Sequence, residues 1–178
     1  MNAPATVPCG LALGSNVGDR LDNLRRAREA VTAILQAGAL RSAPVYESAP
    51  VDCPDGSGKF LNTVIEIALE AAVADNPMGI LTSTQEIEAA LGRPAATGRV
   101  KNAPRAIDID LLYIGGTQVD APQLQVPHPR IASRRFVLTP LADLRPDLVL
   151  PGQDSTASAL LVHLQSTEPE LTLTAATW

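Results

Sequence analysis

Aromatic residues are scarce in this chain of 178 residues: Tyr46, Phe60, Tyr113, Phe136 and Trp178 make up 3% of it. Any flat ligand that needs stacking must find it among these five. Cys9 and Cys53 are the only cysteines. They stand in no metal-type spacing, which excludes a disulfide scaffold and a thiolate metal cluster and leaves reduced thiols as the expectation. No apolar run approaches the roughly 20 residues of a membrane span. The N-terminus lacks a basic region followed by an apolar core, so no secretory leader is expected. A cytoplasmic protein without a membrane partner follows from these absences alone.

Positive charge is also in deficit, with 14 Lys and Arg against 19 Asp and Glu and a formal net charge of −5. That balance argues against general nucleic-acid binding, but its distribution is uneven. Half of the 14 cations (Arg93, Arg99, Lys101, Arg105, Arg130, Arg134, Arg135) lie between residues 93 and 135, with only Asp108, Asp110 and Asp120 as acids there. One basic segment in an acidic protein suits a small anionic ligand better than a long polyanion. Hydrophobic content of 46% with 19% charged residues is ordinary for a globular protein, and the length predicts one domain over 1–178, with 1–6 as a loose tail.

The chain is organised around Arg99 to Tyr113, which packs three cations and then two carboxylates into an apolar run. Ile107, Ile109, Leu111 and Tyr113 alternate with Asp108, Asp110, Leu112 and Ile114, a strand period. Residues two apart on a strand share a face, so Asp108 and Asp110 point the same way, about 6.6–6.8 Å apart at the backbone. Two carboxylates on one face repel and resist burial unless something positive meets them. Oxygen ligands favour Mg²⁺ or Mn²⁺, and Arg99, Lys101 and Arg105 precede them as cations for phosphate oxygens. The competing reading is a solvated strand edge, and for a bare Asp-x-Asp it is the better one, since so short a motif matches by chance.

Elsewhere, Cys9 to Leu13 reads as a short buried strand that runs into Gly14-Ser15-Asn16-Val17-Gly18. Such a loop leading into a helix can present backbone N–H groups to an anion, although most are simply tight turns. Asp19 reads as an N-cap for a helix striped by Leu21, Leu24, Ala27, Val31, Ile34 and Leu35, ending at Gly38. Leu40 to Ser48 is a candidate second strand, followed by a turn-rich segment from Ala49 to Gly58. Phe60 to Glu70 alternates as a half-buried antiparallel strand. Asn62 in it could bond a heterocycle or only a neighbouring turn. Asn76-Pro77 starts a helix that runs to Leu91. Gln85 and Glu88, three apart, share one of its faces, where spacing alone predicts solvent exposure. His128, flanked by prolines in the basic segment, is cast as a hydrogen-bond donor to phosphate. Helices are predicted from Phe136 to Leu144 and from Ser155 to Gln165. The order β-α-β-β-α-β predicts an α+β fold, a ferredoxin-like αβ sandwich with a mainly antiparallel sheet flanked by helices.

The run Lys101-Asn102-Ala103-Pro104-Arg105-Ala106-Ile107-Asp108-Ile109-Asp110-Leu111-Leu112 resembles the signature of the 6-hydroxymethyl-7,8-dihydropterin pyrophosphokinases of folate biosynthesis. Ala12-Leu13-Gly14-Ser15-Asn16, Phe60-Leu61-Asn62, and Val126-Pro127-His128 with Arg134 and Phe136 match in the same order. The resemblance implies transfer of the terminal pyrophosphate of ATP to a pterin hydroxymethyl group, with AMP released. It implies two Mg²⁺ ions on Asp108 and Asp110, with Arg99, Lys101 and Arg105 on the phosphates. Asp108 is also nominated to help ionise the acceptor hydroxyl. Gln85, Glu88, Arg93, Leu111, His128 and Arg134 match nucleotide-contacting positions. Ser48, Ala49, Val51, Phe60, Asn62 and Phe136 match the pterin pocket, with the two phenylalanines sandwiching the ring. The segments Val51–Lys59 and Arg93–Ala103 match loops that close over substrates, and a monomer is implied.

The chain also departs from the family pattern. Asn102 stands where some members place tryptophan, Lys101 where others have arginine, Ala49 in place of proline and Phe60 in place of tyrosine. Gln123 and Gln125 replace residues that contact the nucleotide in some members. Two other readings stand beside this one: another two-metal nucleotidyl or phosphoryl transferase, and a non-catalytic ligand-binding domain on the same fold.

Overall fold

In the computed structural model, which describes residues 5–51, 53–93 and 103–178, antiparallel pairing organises the chain around its two longest strands. These are β1 (Thr6–Ser15) and β4 (Phe60–Glu70), paired over their whole length from Thr6↔Glu70 to Ser15↔Leu61. On the far side of β1 runs β5 (Asp108–Ile114). The two pieces β2 (Leu40–Ser42) and β3 (Val45–Ser48) both pair with β4, so the expected strand Leu40 to Ser48 is broken in the middle. At the break, Ala43 donates its N–H to Val64 O at 2.8 Å, and its own carbonyl accepts from Thr63 Oγ1 at 3.1 Å. A last strand, β8 (Thr172–Ala175), adds to β3 and gives the order β5-β1-β4-β3-β8. A separate hairpin joins β6 (Val119–Ala121) to β7 (Leu124–Val126).

Helix starts follow the local capping chemistry. Asp19 accepts the Asp22 N–H at 3.0 Å ahead of α1 (Arg20–Ile34). Asn76 accepts the Gly79 N–H at 3.0 Å ahead of α3 (Pro77–Ala90), which has proline at its first turn. In α1 the buried stripe is Leu24, Ala27 and Val31, while Ile34 is exposed. The helix stops earlier than the glycine suggests: Gln36 takes the left-handed conformation (φ 49°), and Gly38 instead donates its N–H to Ala68 O at 2.9 Å. A four-residue turn, α2 (Ala71–Ala74), bridges β4 to α3. After β7 come a 3₁₀ turn at Ile131–Ser133, α4 (Arg135–Leu144) and α5 (Ala157–Val162), the last shorter than predicted.

The sheet separates two apolar cores. One packs Leu11, Leu13, Ile65 and Ile67 against Leu24, Val31, Ile80 and Ile87 of α1 and α3. The other packs Val64, Leu112 and Tyr113 against Val137, Leu138 and Leu141 of α4, with α5 behind. The sandwich of antiparallel sheet and helices is therefore present, with α4 and α5 forming a second helical layer. Because β4 lies between the layers it is buried on both faces, not one. Glu66, which alternation assigns to solvent, is 7% exposed. It accepts the Tyr113 hydroxyl at 2.6 Å and pairs with Arg41 at 3.6 Å and with Arg145. The Tyr113 ring lies on Gly10, where a Cβ would overlap it. Among the described residues, no helix is long and apolar enough to cross a membrane.

Candidate active site

Strand β1 builds the site by placing two small residues between polar neighbours. Gly14 pairs with Asn62 of β4 on one side and with Asp108 of β5 on the other; Ala12 pairs with Val64 and Asp110. Directly opposed residues in antiparallel pairs project to the same face, with strands about 4.8 Å apart. The result is a shallow trough, floored by Ala12 and Gly14, with an amide on one bank and two carboxylates on the other. The α4 layer roofs this face. A Cβ on Gly14 would lie 3.3 Å from Asn62 Oδ1 and 3.9 Å from the Phe60 ring, so only glycine leaves the floor open.

A cavity of about 260 Å³ occupies this trough. Ser48, Ala49, Val51, Phe60, Asn62 and Phe136 all line it, together with Arg105, Asp108, Asp110 and Arg134. Asn62 and Ser48 are buried, and Asn62 Nδ2 donates to Ser48 Oγ at 2.8 Å. That bond fixes the amide and leaves Asn62 Oδ1 as an acceptor. Phe60 begins β4 and Phe136 is the second residue of α4, so the two half-buried rings come from opposite layers.

The carboxylate bank is held by arginines. Asp108 pairs with Arg93 at 2.8 Å through Oδ1 and with Arg105 at 3.0 Å through Oδ2. Asp110 lies 3.6 Å from Arg134. Burial first, and then the neighbouring Asp108, push the Asp110 carboxyl above the usual carboxylate range, while the arginines pull it down. Arg105 is anchored by its backbone: its N–H donates to Asn16 Oδ1 at 2.8 Å, and its carbonyl accepts the Asn16 N–H at 3.2 Å. The Gly14–Gly18 loop thus fastens the approach to β5. Asn16, quoted above only as part of a motif, is the residue that does it.

One expectation needs revision. Glu88 is not solvated; it is 6% exposed, accepts the Ile109 N–H at 2.7 Å and pairs with Arg93, which bridges it to Asp108. Burial pushes Glu88 up to about 7, more than the Ile109 N–H and Arg93 lower it. Gln85 is exposed on α3, as its spacing predicts, and lines neither cavity of the site. Arg99, Lys101 and Asn102 lie outside the described residues.

Beside the first cavity runs an open groove of about 640 Å³, lined by Leu111, His128 and the β6–β7 hairpin with Gln123 and Gln125. Asp110 and Arg130 line both spaces. Arg130 was counted among the cations of the basic segment but not as a site residue; nothing in its own tripeptide marks it, and only the fold brings it to the junction. His128 accepts the Arg130 N–H on Nδ1 at 3.1 Å, which leaves Nε2 to carry the ring proton. Burial, then Arg134 and Arg130, lower its pKa to about 4, so it is a neutral donor at pH 7.

Among the described residues no group of three or more His, Cys, Asp and Glu could cage a metal ion. Two strand carboxylates, one of them destabilised as a bare anion, suit Mg²⁺, which takes one or two carboxylates and completes its shell with water and phosphate oxygens. An aromatic-walled cavity carrying Arg105, Arg130 and Arg134 that meets an open groove at such a pair can pass a charged group from one ligand to the other. Fold and site together define a transferase of phosphoryl-type groups.

The family model described as 7,8-dihydro-6-hydroxymethylpterin-pyrophosphokinase (HPPK) matches residues 10–146, and the chain belongs to that family. Its reaction is pyrophosphate transfer from ATP to hydroxymethyldihydropterin in folate synthesis. The chain is 39% identical over 134 residues to the 2-amino-4-hydroxy-6-hydroxymethyldihydropteridine pyrophosphokinase of Bacillus subtilis, covering 75% of each chain. It is 36% identical over 141 residues to the enzyme of the same name from Pseudomonas aeruginosa, covering 79% of this chain and 82% of that one. The fold recurs in wild-type Plasmodium falciparum HPPK-DHPS with pteroate, at a TM-score of 0.67 and 14% identity over 91% of this chain. This chain spans only 43% of that longer protein.

Proposed function

We propose that the 260 Å³ cavity takes the pterin and the adjoining groove takes ATP, so that the hydroxymethyl oxygen faces the β-phosphorus at the Asp108–Asp110 bank. The observation that carries this reading is the pairing of Gly14 with both Asn62 and Asp108, which puts a ring-sized floor between a hydrogen-bonding amide and the carboxylates. In this reading Phe60 and Phe136 stack the ring, and Asn62 Oδ1 accepts an N–H of the heterocycle beside Ser48, Ala49 and Val51. Leu111 and His128 meet the nucleotide. Arg93, Arg105 and Arg134 exchange Asp108 and Asp110 for phosphate oxygens, with Arg99 and Lys101 added from the preceding segment. Gln85 joins only if a bound nucleotide reaches its exposed position, and Glu88 acts from behind by holding Arg93.

Asp108 and Asp110 would hold two Mg²⁺ ions, which neutralise the polyphosphate and favour ionisation of the acceptor hydroxyl. The hydroxymethyl oxygen forms a bond to the β-phosphorus as the bond from that phosphorus to the α-bridging oxygen breaks. AMP leaves, and Asp108 takes the hydroxyl proton. Catalysis then consists of positioning and charge stabilisation by these side chains. We read the whole chain, 1–178, as one such unit, a monomer in the cytoplasm.

The test is incubation with ATP, MgCl₂ and 6-hydroxymethyl-7,8-dihydropterin, with the nucleotide product separated by chromatography. AMP should form in a one-to-one ratio with pterin diphosphate. ADP as the product, or tight binding of both ligands without turnover, would overturn the proposal.

A further inference from the structure

The family match ends at residue 146, yet one wall of the acceptor cavity comes from beyond it. Glu168 lines that cavity, and its Oε2 accepts the N–H of Arg135, the first residue of α4, at 3.0 Å. That helix has no cap of its own: Arg134 stands at the N-cap position and makes no side-chain capping bond. The first N–H groups of a helix lack partners within it, and a carboxylate there also meets the positive end of the helix dipole. Glu168 therefore supplies from a distant segment the cap that the local sequence omits.

The residues on either side of the capped Arg135 both belong to the cavity. Phe136 is the next residue of α4, and the Arg134 guanidinium sits 5.3 Å over its ring while reaching toward Asp110. Glu168 is itself fastened. Its N–H donates to Ser166 Oγ at 3.1 Å, and four residues later the chain enters β8, which pairs with β3 through Glu47↔Thr172 and Tyr46↔Leu173. Strand β3 ends in Ser48, which lines the same cavity. Trp178 then closes the segment by donating Nε1–H to Ala43 O at 2.9 Å and by stacking under Arg28 at 4.4 Å. The segment from Glu168 onward thus runs from one lining residue of the cavity to the strand that carries another.

We infer that Glu168 is a positioning residue for the acceptor substrate: by capping α4 it holds Phe136 at the spacing that a stacked pterin requires. This rests on the cavity being the pterin site. The role falls on the acceptor, because Phe136 directly follows the capped residue, whereas Arg134, which is assigned to phosphate, precedes it, and the groove assigned to ATP is lined by Leu111, His128 and the hairpin and not by α4.

Glu168→Ala removes the cap, whereas Glu168→Gln keeps an oxygen that can accept the Arg135 N–H. Steady-state kinetics of the wild type and both variants, with each substrate varied in turn, should show KM for the pterin raised about five- to tenfold in Glu168→Ala, the equivalent of one lost helix cap. KM for ATP should stay within about twofold, and Glu168→Gln should restore most of the loss. Amide exchange at Arg135, followed without any substrate, should be faster in Glu168→Ala and recover in Glu168→Gln. Unchanged exchange or unchanged pterin KM in Glu168→Ala overturns the inference, as does an equal rise in both KM values or a Gln variant as impaired as the Ala variant. A wild-type protein that makes no AMP overturns the acceptor assignment itself, a result distinct from any difference among variants.

Discussion

A carboxylate withdrawn from water resists ionisation, and two acids of this site, Glu88 and Asp110, are held in that condition. Glu88 rises from an ordinary 4.5 to about 7, chiefly by burial. In that interval the folded protein binds a proton that the unfolded chain has released, so stability falls as pH rises through it. Glu88→Gln keeps an acceptor for the Ile109 N–H and abolishes the titration. Between pH 4.5 and 7 the variant should therefore gain on the wild type by up to about 3 kcal/mol, as measured by urea unfolding at stepped pH. Parallel pH profiles would refute it. Asp110 differs, since the proposed function gives a destabilised anion beside Asp108 a task. Asp110→Ala removes that repulsion, so its thermal midpoint should not drop. Its AMP production should fall by about a thousandfold or more, as expected when a group that stabilises transition-state charge is lost. Normal turnover would remove the metal assignment.

At the level of elements, β1 is a spacer whose value lies in what it lacks. Gly14→Ala would add a Cβ 3.3 Å from Asn62 Oδ1, inside the floor of the cavity, while Leu11 and Leu13 on the opposite face keep their packing. We expect pterin KM to rise about tenfold or more with a small change in thermal midpoint, checked by kinetics alongside a melting curve. The Gly-Ser-Asn stretch read on its own as a turn, because glycine after an apolar run usually marks one; pairing with both neighbours extends β1 to Ser15. Caps at Asp19 and Asn76 were legible since their chemistry closes within three residues. Alternation located β4 but gave Glu66 the wrong environment, because Arg41, Tyr113 and Arg145, which satisfy it, lie far away in sequence. Strands β6, β7 and β8 have three or four residues each, too few for any period to register. The pocket side chains from Ser48 to Phe136 were found by resemblance to a family pattern. Glu168 could not be, as its only signal is a hydrogen bond to a helix start 33 residues earlier.

The whole molecule keeps the charges of the candidate site apart from what holds it together. Two apolar cores, one on each face of the sheet, bury aliphatic side chains from every long element, and neither includes Asp108 or Asp110. Those aspartates are instead compensated by Arg93, Arg105 and Arg134 when no other cation is present. A structural metal site supplies folding free energy outright, and its chelation unfolds the domain. Here arginines already pair with both carboxylates, so on the proposed mechanism divalent ions would serve the reaction and not the fold. Excess EDTA should abolish AMP formation while the circular dichroism spectrum and thermal midpoint stay within experimental error, and added MgCl₂ should restore turnover in full. A large fall in the midpoint on chelation would mean that the ions hold the fold together, which an arginine-compensated bank does not require. Turnover that persists in EDTA would instead leave Asp108 and Asp110 acting on the substrate directly, with the arginines alone to neutralise its phosphates.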